Sequence, residues 1–495
     1  MSAEVMNQEA RGKDSITQEW FHRVITDIAS FMAGRAPVWL VGGAVRDYMM
    51  GRIPADIDLV VVGEQALAPV LAGLLGASLV QLSAPHGLYR LVCTEKDQPT
   101  HVDVEFIDSA DIAANLGRRD FTVDAMALPL KPYGLNKEEL VDPYRGMTDL
   151  EKRLIRAVNS SVFEDDPVRA LRAFRLASAL NFEINTTTLE QMKLMRRSFE
   201  DVAGERVWIE FSAILTMDVA TRVLRKMEVE AGLVTRLIPE LALLKGLGQG
   251  KWHVLDAWDH TMLALEWLER ILCSARDDEL HGVRLIYDKA ILEWPKCVTP
   301  ALKLGLLMHD VGKPTAAAVA GRECSFPGHE REGPLVAKRL CERWRLPGWE
   351  RDIVLAIVEG HMHPLYLYQE GNFTPKPVRR FFNRRGRYVP FLLLGSLADV
   401  VATRTAAGNS HEAALYRQFI TGLLEMFVNE GAVWKKLPRF LNGNEVMKIL
   451  EIKPSPLVGQ VLAAITEAEI AGEITSKEEA ETFVRERRYL PYLPQ

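Results

Sequence analysis

Two aspartates, Asp56 and Asp58, follow a Gly-Gly turn by thirteen and fifteen residues in the segment VWLVGGAVRDYMMGRIPADIDLVVVG. It reads as a buried strand, a turn at Gly42 and Gly43, a helix carrying Arg46, a loop and a second strand. At the strand period of two, Asp56 and Asp58 project from one face while Ile57 and Leu59 point to the other. Two carboxylates on one face can hold a divalent cation, and glycines at a helix N-terminus let backbone N–H groups approach a phosphate. Asp103 in HVDVEF is a candidate third carboxylate from a neighbouring strand, with Glu105 competing on its own face. The set suits phosphoryl transfer, in which Mg²⁺ bridges triphosphate oxygens beside an attacking hydroxyl. Either piece alone would suit an ordinary turn or a solvated strand entrance; together, at this spacing, they point to an active site.

Two further segments carry donors and acceptors that a nucleotide needs. RRDFTVDAMAL places Arg118 and Arg119 beside Asp120, guanidinium forks for phosphate oxygens and a carboxylate for ribose hydroxyls. On its own, RRD would equally suit a surface ion-pair cluster. FEDDPVRALRAFRLASAL marks a helix start, with acids before Pro167 and an apolar stripe at Val168, Leu171, Phe174 and Ala177. Asp166 and Arg169, at i and i+3, are expected side by side on one helix face, an acceptor beside a fork of donors. Such a pair fits cytosine or adenine, whose exocyclic amine neighbours a ring acceptor, and opposes the reversed polarity of guanine and uracil; in isolation it would be a modest helix salt bridge. Arg172 and Arg175 continue the stripe, toward a triphosphate or toward solvent.

A second constellation lies mid-chain. Seven of the eleven histidines fall between His253 and His363, and His260, His309-Asp310, His329, His361 and Asp399 read in order as imidazole and carboxylate ligands on successive helices. Mixed nitrogen and oxygen donors suit Ni²⁺, Mn²⁺, Fe or Zn²⁺. His253 and His363 read as ordinary hydrogen-bonded histidines, and Lys313 as a helix-surface lysine, with contact to a substrate phosphate as the alternative.

These motifs resemble the signatures of the bacterial class II tRNA nucleotidyltransferase (CCA-adding enzyme) and poly(A) polymerase family, whose head is of the polymerase-beta-like nucleotidyltransferase type. The resemblance runs, with gaps, from about residue 36 to the C-terminus. It implies that RRD binds the ribose and triphosphate of the incoming nucleotide, that DPYRGMTDL is a flexible connector, and that GERVWIEFSAIL (Glu205, Arg206, Glu210) supports a helical neck. It also assigns base selection to the Asp166 and Arg169 positions. Three residues depart from the family pattern: Asn115, Asp124 and Asp165. HDVGKP with its flanking histidines resembles the HD superfamily of metal-dependent phosphohydrolases. That resemblance implies a first metal on His260, His309, Asp310 and Asp399 and a second on His329 and His361, with water activated for attack on a phosphate ester.

The elements that must position these residues follow from periodicity. Apolar residues at Trp20, Val24, Ile25, Ile28 and Phe31 predict a leading helix over 16–33. Short runs VWLV, IDLVVV, LYRLV, HVDVEF and MALPL alternate with helical stretches to about Leu130, the pattern of a mixed α/β domain; beyond residue 150 the chain reads as helices broken by Pro and Gly. The expected organisation is a helical extension over 1–35, a nucleotidyltransferase head over 36–140, a helical neck with the base-selecting helix over 141–250, an HD domain over 251–410 and a helical RNA-contacting tail over 411–495. PVRRFFNRRGRYVP sets Arg379, Arg380, Arg384, Arg385 and Arg387 among Phe381, Phe382 and Tyr388, either an RNA grip or a brace for the hydrolase site. In the tail, Gly443 and Gly459 would permit close helix approach, and Pro454-Ser455-Pro456 replaces the family's more usual Pro-Gly-Pro.

Composition bounds the partners. A formal charge of −6 over 495 residues excludes an unselective polyanion-binding field, so nucleic acid must be held by local patches. Five scattered cysteines, Cys93, Cys273, Cys297, Cys324 and Cys341, without a C-x-x-C pair, argue against a disulfide framework or a cysteine zinc site. The polar N-terminus and the lack of a long apolar run lead to the expectation of a soluble cytoplasmic protein without membrane attachment.

The expected function is addition of the 3′-terminal CCA, or only its terminal A, to tRNA from CTP and ATP with Mg²⁺, alongside an HD-domain phosphohydrolase or 2′,3′-cyclic phosphodiesterase. The alternatives are a poly(A) polymerase or CC-adding enzyme of the same family, and a nucleotide phosphohydrolase whose head only binds RNA. An acidic C-terminal segment favours tRNA over arbitrary RNA.

Overall fold

The computed structural model describes residues 17–490, apart from 55, 86, 96–97, 109–110, 250–253, 277, 296, 321–325, 327, 372–374, 435–439 and 471. His253, Cys324 and the first half of the expected N-terminal extension therefore lie outside the described residues. The chain divides into two compact units, Met1–Val202 and Ala203–Gln495.

The first unit is built on a six-stranded mixed sheet of order β3-β4-β5-β2-β1-β6. Its strands are β1 (Val38–Val41), β2 (Ile57–Val62), β3 (Ser78–Ser83), β4 (Leu88–Glu95), β5 (Gln98–Ile107) and β6 (Ala127–Pro129). Central β2 is antiparallel to β1 and parallel to β5, with Asp58 directly opposite Asp103. The run Ile57, Leu59, Val60 and Val61 is fully buried, as a strand covered on both faces requires. The helix Gln18–Met32, capped by Thr17, buries Trp20, Phe21, Val24, Ile25, Ile28 and Met32. Each such side chain contributes about 1.5–3 kcal/mol of burial. Edge strand β3 was not among the expected strands; it is exposed along nearly its whole length.

The helix Val168–Leu180 starts after Pro167 and buries Val168, Leu171, Phe174 and Ala177, as its stripe requires. Asp166 is not part of it: the residue adopts extended backbone between this helix and the short helix Val162–Asp165. The i, i+3 helix-face geometry expected for Asp166 and Arg169 is thus replaced by a kinked entry, because the residue before a proline is driven out of helical conformation. DPYRGMTDL, expected as a flexible connector, is bonded into the head. Asp142 accepts from the N–H groups of Gly146 and Met147, and buried Asp149 accepts from Thr122 and Arg156.

The second unit is helical. Helix Val389–Ala406 is buried over most of its length, flanked by Ala257–Leu272 and Ser410–Trp434. The stretch Pro377–Ala406 is long and apolar enough to cross a membrane, yet its apolar window is 78% buried inside the protein. The C-terminal helices Gly443–Leu450, Pro456–Ile470 and Lys477–Arg485 form a separate core around Val446, Val461, Ile465 and Phe483. A Cβ on Gly443 would meet only ordinary contacts and one on Gly459 would meet nothing, so neither glycine is required by close packing.

Candidate active sites

In the head, the turn after β1 and the adjoining ends of β2 and β5 converge. Gly42 has φ +70°, a conformation L-residues with a Cβ rarely adopt, and a Cβ there would lie 2.6 Å from Nη1 of Arg119 and 3.2 Å from Oδ2 of Asp58. Gly42 thus leaves room for a cation and a carboxylate at the same point. Asp56 stands exposed at the entrance to β2, its Oδ1 3.3 Å from Nε2 of His101. Burial pushes the Asp58 carboxyl up to about 6; Arg119 opposes that rise, and the charges of Asp103 and Asp56 add to it. The three carboxylates therefore share one electrostatic site, the arrangement a divalent cation relieves. Asp103 is already engaged, with both oxygens on Arg90 across β4 at 2.8 Å.

The remaining head residues divide between the site and its frame. The Nε of Arg119 is buried without a hydrogen-bond partner, an unsatisfied donor beside Asp58. Arg118 pairs with Glu105 at 2.7 Å. Arg169 donates to the carbonyl of Arg118 at 3.0 Å, so the helix Val168–Leu180 and RRD meet. Asp166 Oδ1 accepts from the N–H of Val168. Asp120, expected to face ribose, is buried: it accepts from the N–H of Phe121 and pairs with Arg172 at 3.0 Å. Arg46, expected near phosphate from its place beside Gly43, is buried and held by Asp47 at 2.9 Å and by Asp124 at 2.6 Å. The departure at Asp124 supplies the charge that keeps Arg46 in the interior. Of the other two, Asp165 accepts from Ser161, and buried Asn115 has neither side-chain atom hydrogen-bonded.

In the second unit, six residues from five segments meet in one buried cluster. His260, His309 and Asp399 offer ligand atoms within 4.8 Å of one another, and so do Asp310, His329 and His361. Asp310 lies between the two groups, 3.2 Å from Nε2 of His309 and 3.8 Å from those of His260 and His329. Asp310 therefore faces histidines of both groups, where the HD resemblance implied a place with His260, His309 and Asp399. The Nδ1 atoms of His309, His329 and His361 each face the backbone carbonyl three residues earlier, at 2.6, 3.0 and 3.2 Å. Donation there fixes the tautomer that turns an Nε2 lone pair into the cluster, the support metal-binding imidazoles need.

Charge in the cluster follows the same logic. Burial and the neighbouring His309 hold His361 down to about 3, so its ring is neutral. Burial alone would raise Asp310, but His309 and Lys313 hold it well below the usual carboxylate range. Lys313, expected at a helix surface, is buried and bonds Asp310 at 2.6 Å and Gln249. Gly312 explains its own place in HDVGKP: a Cβ there would overlap the carbonyl oxygen of His329 and the backbone of Gly333. A cavity of about 780 Å³ opens on Asp310, His329 and Asp399.

The arginine-rich helix Pro375–Arg385 braces rather than grips. Arg380 and Arg384 pair with Glu467, Arg385 with Glu359, and Arg387 lies 3.6 Å over the ring of Trp294. Phe381 and Phe382 are buried, so neither offers a face for an unpaired base.

Comparison with known proteins agrees with both the head and the helical body. Residues 38–156 match the poly(A) polymerase head domain, and residues 181–244 match the probable RNA and SrmB-binding site of polymerase A. The chain is 32% identical to an A-adding tRNA nucleotidyltransferase of Deinococcus radiodurans, over 90% of this chain and 94% of that one. It is also 32% identical to a CC-adding tRNA nucleotidyltransferase of Thermus thermophilus, over 90% of this chain and 92% of that one. The fold is similar to that of the Thermotoga maritima CCA-adding enzyme solved with tRNA, with a TM-score of 0.55, 19% identity and coverage of 96% and 97%.

Proposed function

Because the chain belongs to the tRNA nucleotidyltransferase family, we propose that it adds CCA, or only the terminal A, to the 3′ end of tRNA from CTP and ATP. The observation that carries this is the meeting of Asp58 and Arg119 at the Gly42 turn, with the charges of Asp103 and Asp56 acting on Asp58. Oxygen donors alone fit a hard cation, and when bound there Mg²⁺ supplies charge neutralisation for the triphosphate. In the reaction the terminal 3′-hydroxyl oxygen attacks the α-phosphorus, the bond to pyrophosphate breaks, and the hydroxyl proton is released. Asp56 and Asp58 would hold the ion, with Asp103 opposite Asp58 on β5. Arg119, with its unsatisfied Nε, meets the phosphates, with Gly42 and Gly43 leaving room for them; Arg118 and Arg172 border the same pocket. Arg46 and Asp120 act through the frame that positions these groups. Asp166 accepts from the exocyclic amine of C or A while Arg169 donates to the ring. A cytoplasmic location suits a tRNA substrate.

We assign the second unit's cluster to phosphate-ester hydrolysis. Its mixed imidazole and carboxylate donors fit Ni²⁺, Mn²⁺, Fe or Zn²⁺, and when bound there such an ion supplies activation of water. His260, His309 and Asp399 form one ligand group, Asp310, His329 and His361 the other.

Extension of tRNA ending in CC with labelled ATP tests the head: Asp58→Ala abolishes it, and persistence in Asp56→Ala removes the assigned metal site. Release of product from adenosine 2′,3′-cyclic phosphate, lost in His309→Ala, tests the body.

A further inference from the structure

The cavity beside the histidine cluster contains two cations in different states. Lys313 is spent on Asp310 and Gln249. Arg404 lines the same cavity, and among the described residues no hydrogen bond or ion pair engages its guanidinium. Helix Val389–Ala406 sets Asp399, Thr403 and Arg404 at i, i+4 and i+5, so the ligand carboxylate and the arginine share one side of the helix. Opposite them, helix His329–Arg343 begins at Gly328, which lines the cavity and has no side-chain cap. The positive end of its dipole lies at the cavity wall, although the His329 N–H already donates to the carbonyl of Phe326. A partly buried, unanswered guanidinium is costly to keep unless an anion arrives.

We propose that Arg404 binds the phosphate of a nucleotide-sized ester in this cavity, clamping the oxygens that face away from the Asp310 and His329 side. The inference rests on the hydrolase reading of the cluster and names its anion-recognising residue. A volume of about 780 Å³ accommodates one nucleotide with water, not a folded nucleic acid. Phe326, Met362, Leu365 and Tyr366 supply an apolar and aromatic wall, which suits a base and which inorganic phosphate or a bare sugar phosphate would leave unfilled. The ester is a free nucleotide or the terminal nucleotide of an RNA; both present the same phosphate and base.

The test uses the full chain loaded with Mn²⁺. Phosphate release is followed from adenosine 3′-monophosphate and from a short RNA ending in a 3′-phosphate, the two arms distinguishing the sources. Arg404→Ala raises KM at least tenfold on the preferred ester with kcat within about threefold, Arg404→Lys recovers most of the loss, and tRNA extension by the head is unchanged. Independently of turnover, Mn²⁺ broadens the ³¹P line of inorganic phosphate in a chain carrying Asp56→Ala and Asp58→Ala, and adding Arg404→Ala removes that broadening. Unchanged KM and unchanged broadening overturn the role of Arg404 while hydrolysis by the parent protein leaves the hydrolase reading standing. Absence of hydrolysis in both arms overturns that reading, and Arg404-dependent broadening then still supports the anion clamp.

Discussion

The guanidinium of Arg119 occupies the space a side chain on Gly42 would need, with Nη1 2.6 Å from the position of a Cβ. Gly42→Ala therefore has two separable costs. The backbone at φ +70°, ψ −144° is sparsely populated by residues with a Cβ and costs about 1–3 kcal/mol of stability. Displacement of Arg119 and Asp58 by a fraction of an ångström lowers tRNA extension about 100-fold. Thermal unfolding and single-turnover extension of the same variant check both; extension within a few-fold of the parent would separate Arg119 from the reaction.

With Asp58 as a ligand, the proposed head site couples metal binding to pH. Its folded-state value, about 6, lies above the ordinary 3.8, so between those limits the folded protein holds a proton that the unfolded chain has lost. Without metal, stability contributed by this group falls as pH rises through that window and is constant above it. Mg²⁺ competes with the proton, so the rise in Tm on adding Mg²⁺ is larger at pH 7.5 than at pH 5. Asp58→Asn removes the pH dependence of that rise; a rise independent of pH in the parent would show that Asp58 does not bind the ion.

The buried Arg46–Asp124 pair supports the fold of the head rather than the nucleotide. Arg46→Met leaves Asp124 uncompensated and destabilises by about 3 kcal/mol, while Arg46→Met with Asp124→Leu recovers most of the loss. In both, the KM for ATP stays within about threefold. A large KM increase in the stable double variant would return Arg46 to the phosphate site.

Gly312 sets the approach of the helix that carries His329. Gly312→Ala pushes that helix away, splitting Asp310 from His329 and lowering affinity for the second-unit metal by about tenfold or more. Metal content after dialysis, measured beside tRNA extension, reports it: metal falls and extension does not. Full metal retention would dissociate the close approach from metal binding.

Much of the candidate chemistry was legible because it is local. The strand carrying Asp58 is an apolar run buried at Ile57 and Leu59–Val61, the strand carrying Asp103 alternates buried Val102, Val104 and Phe106 with half-buried residues, and HDVGKP is a continuous motif. What escaped depends on distant partners. The exposed edge strand β3 is specified by pairing with β4 rather than by an alternating pattern of its own. Lys313 looked like a surface lysine because nothing nearby in sequence shows that Gln249 and Asp310 enclose it. Arg380 and Arg384 suit an RNA grip and a brace equally in sequence, because Glu467, which pairs with both, lies 87 and 83 residues further along the chain. Asp166 carried a local signal, Pro167, whose effect on the preceding residue breaks the helix-face geometry.

The central claim is that the head selects C and A without a nucleic-acid template and adds them to tRNA. The most direct measurement incubates the full chain and Mg²⁺ with tRNA ending at the discriminator base, in C, or in CC, each with one labelled nucleoside triphosphate of the four. Addition of A to the CC end, with CTP used on the shorter ends if the complete CCA is made and neither GTP nor UTP used on any, is the predicted result. Failure to extend all three ends, or incorporation of G and U as readily as C and A, would contradict it.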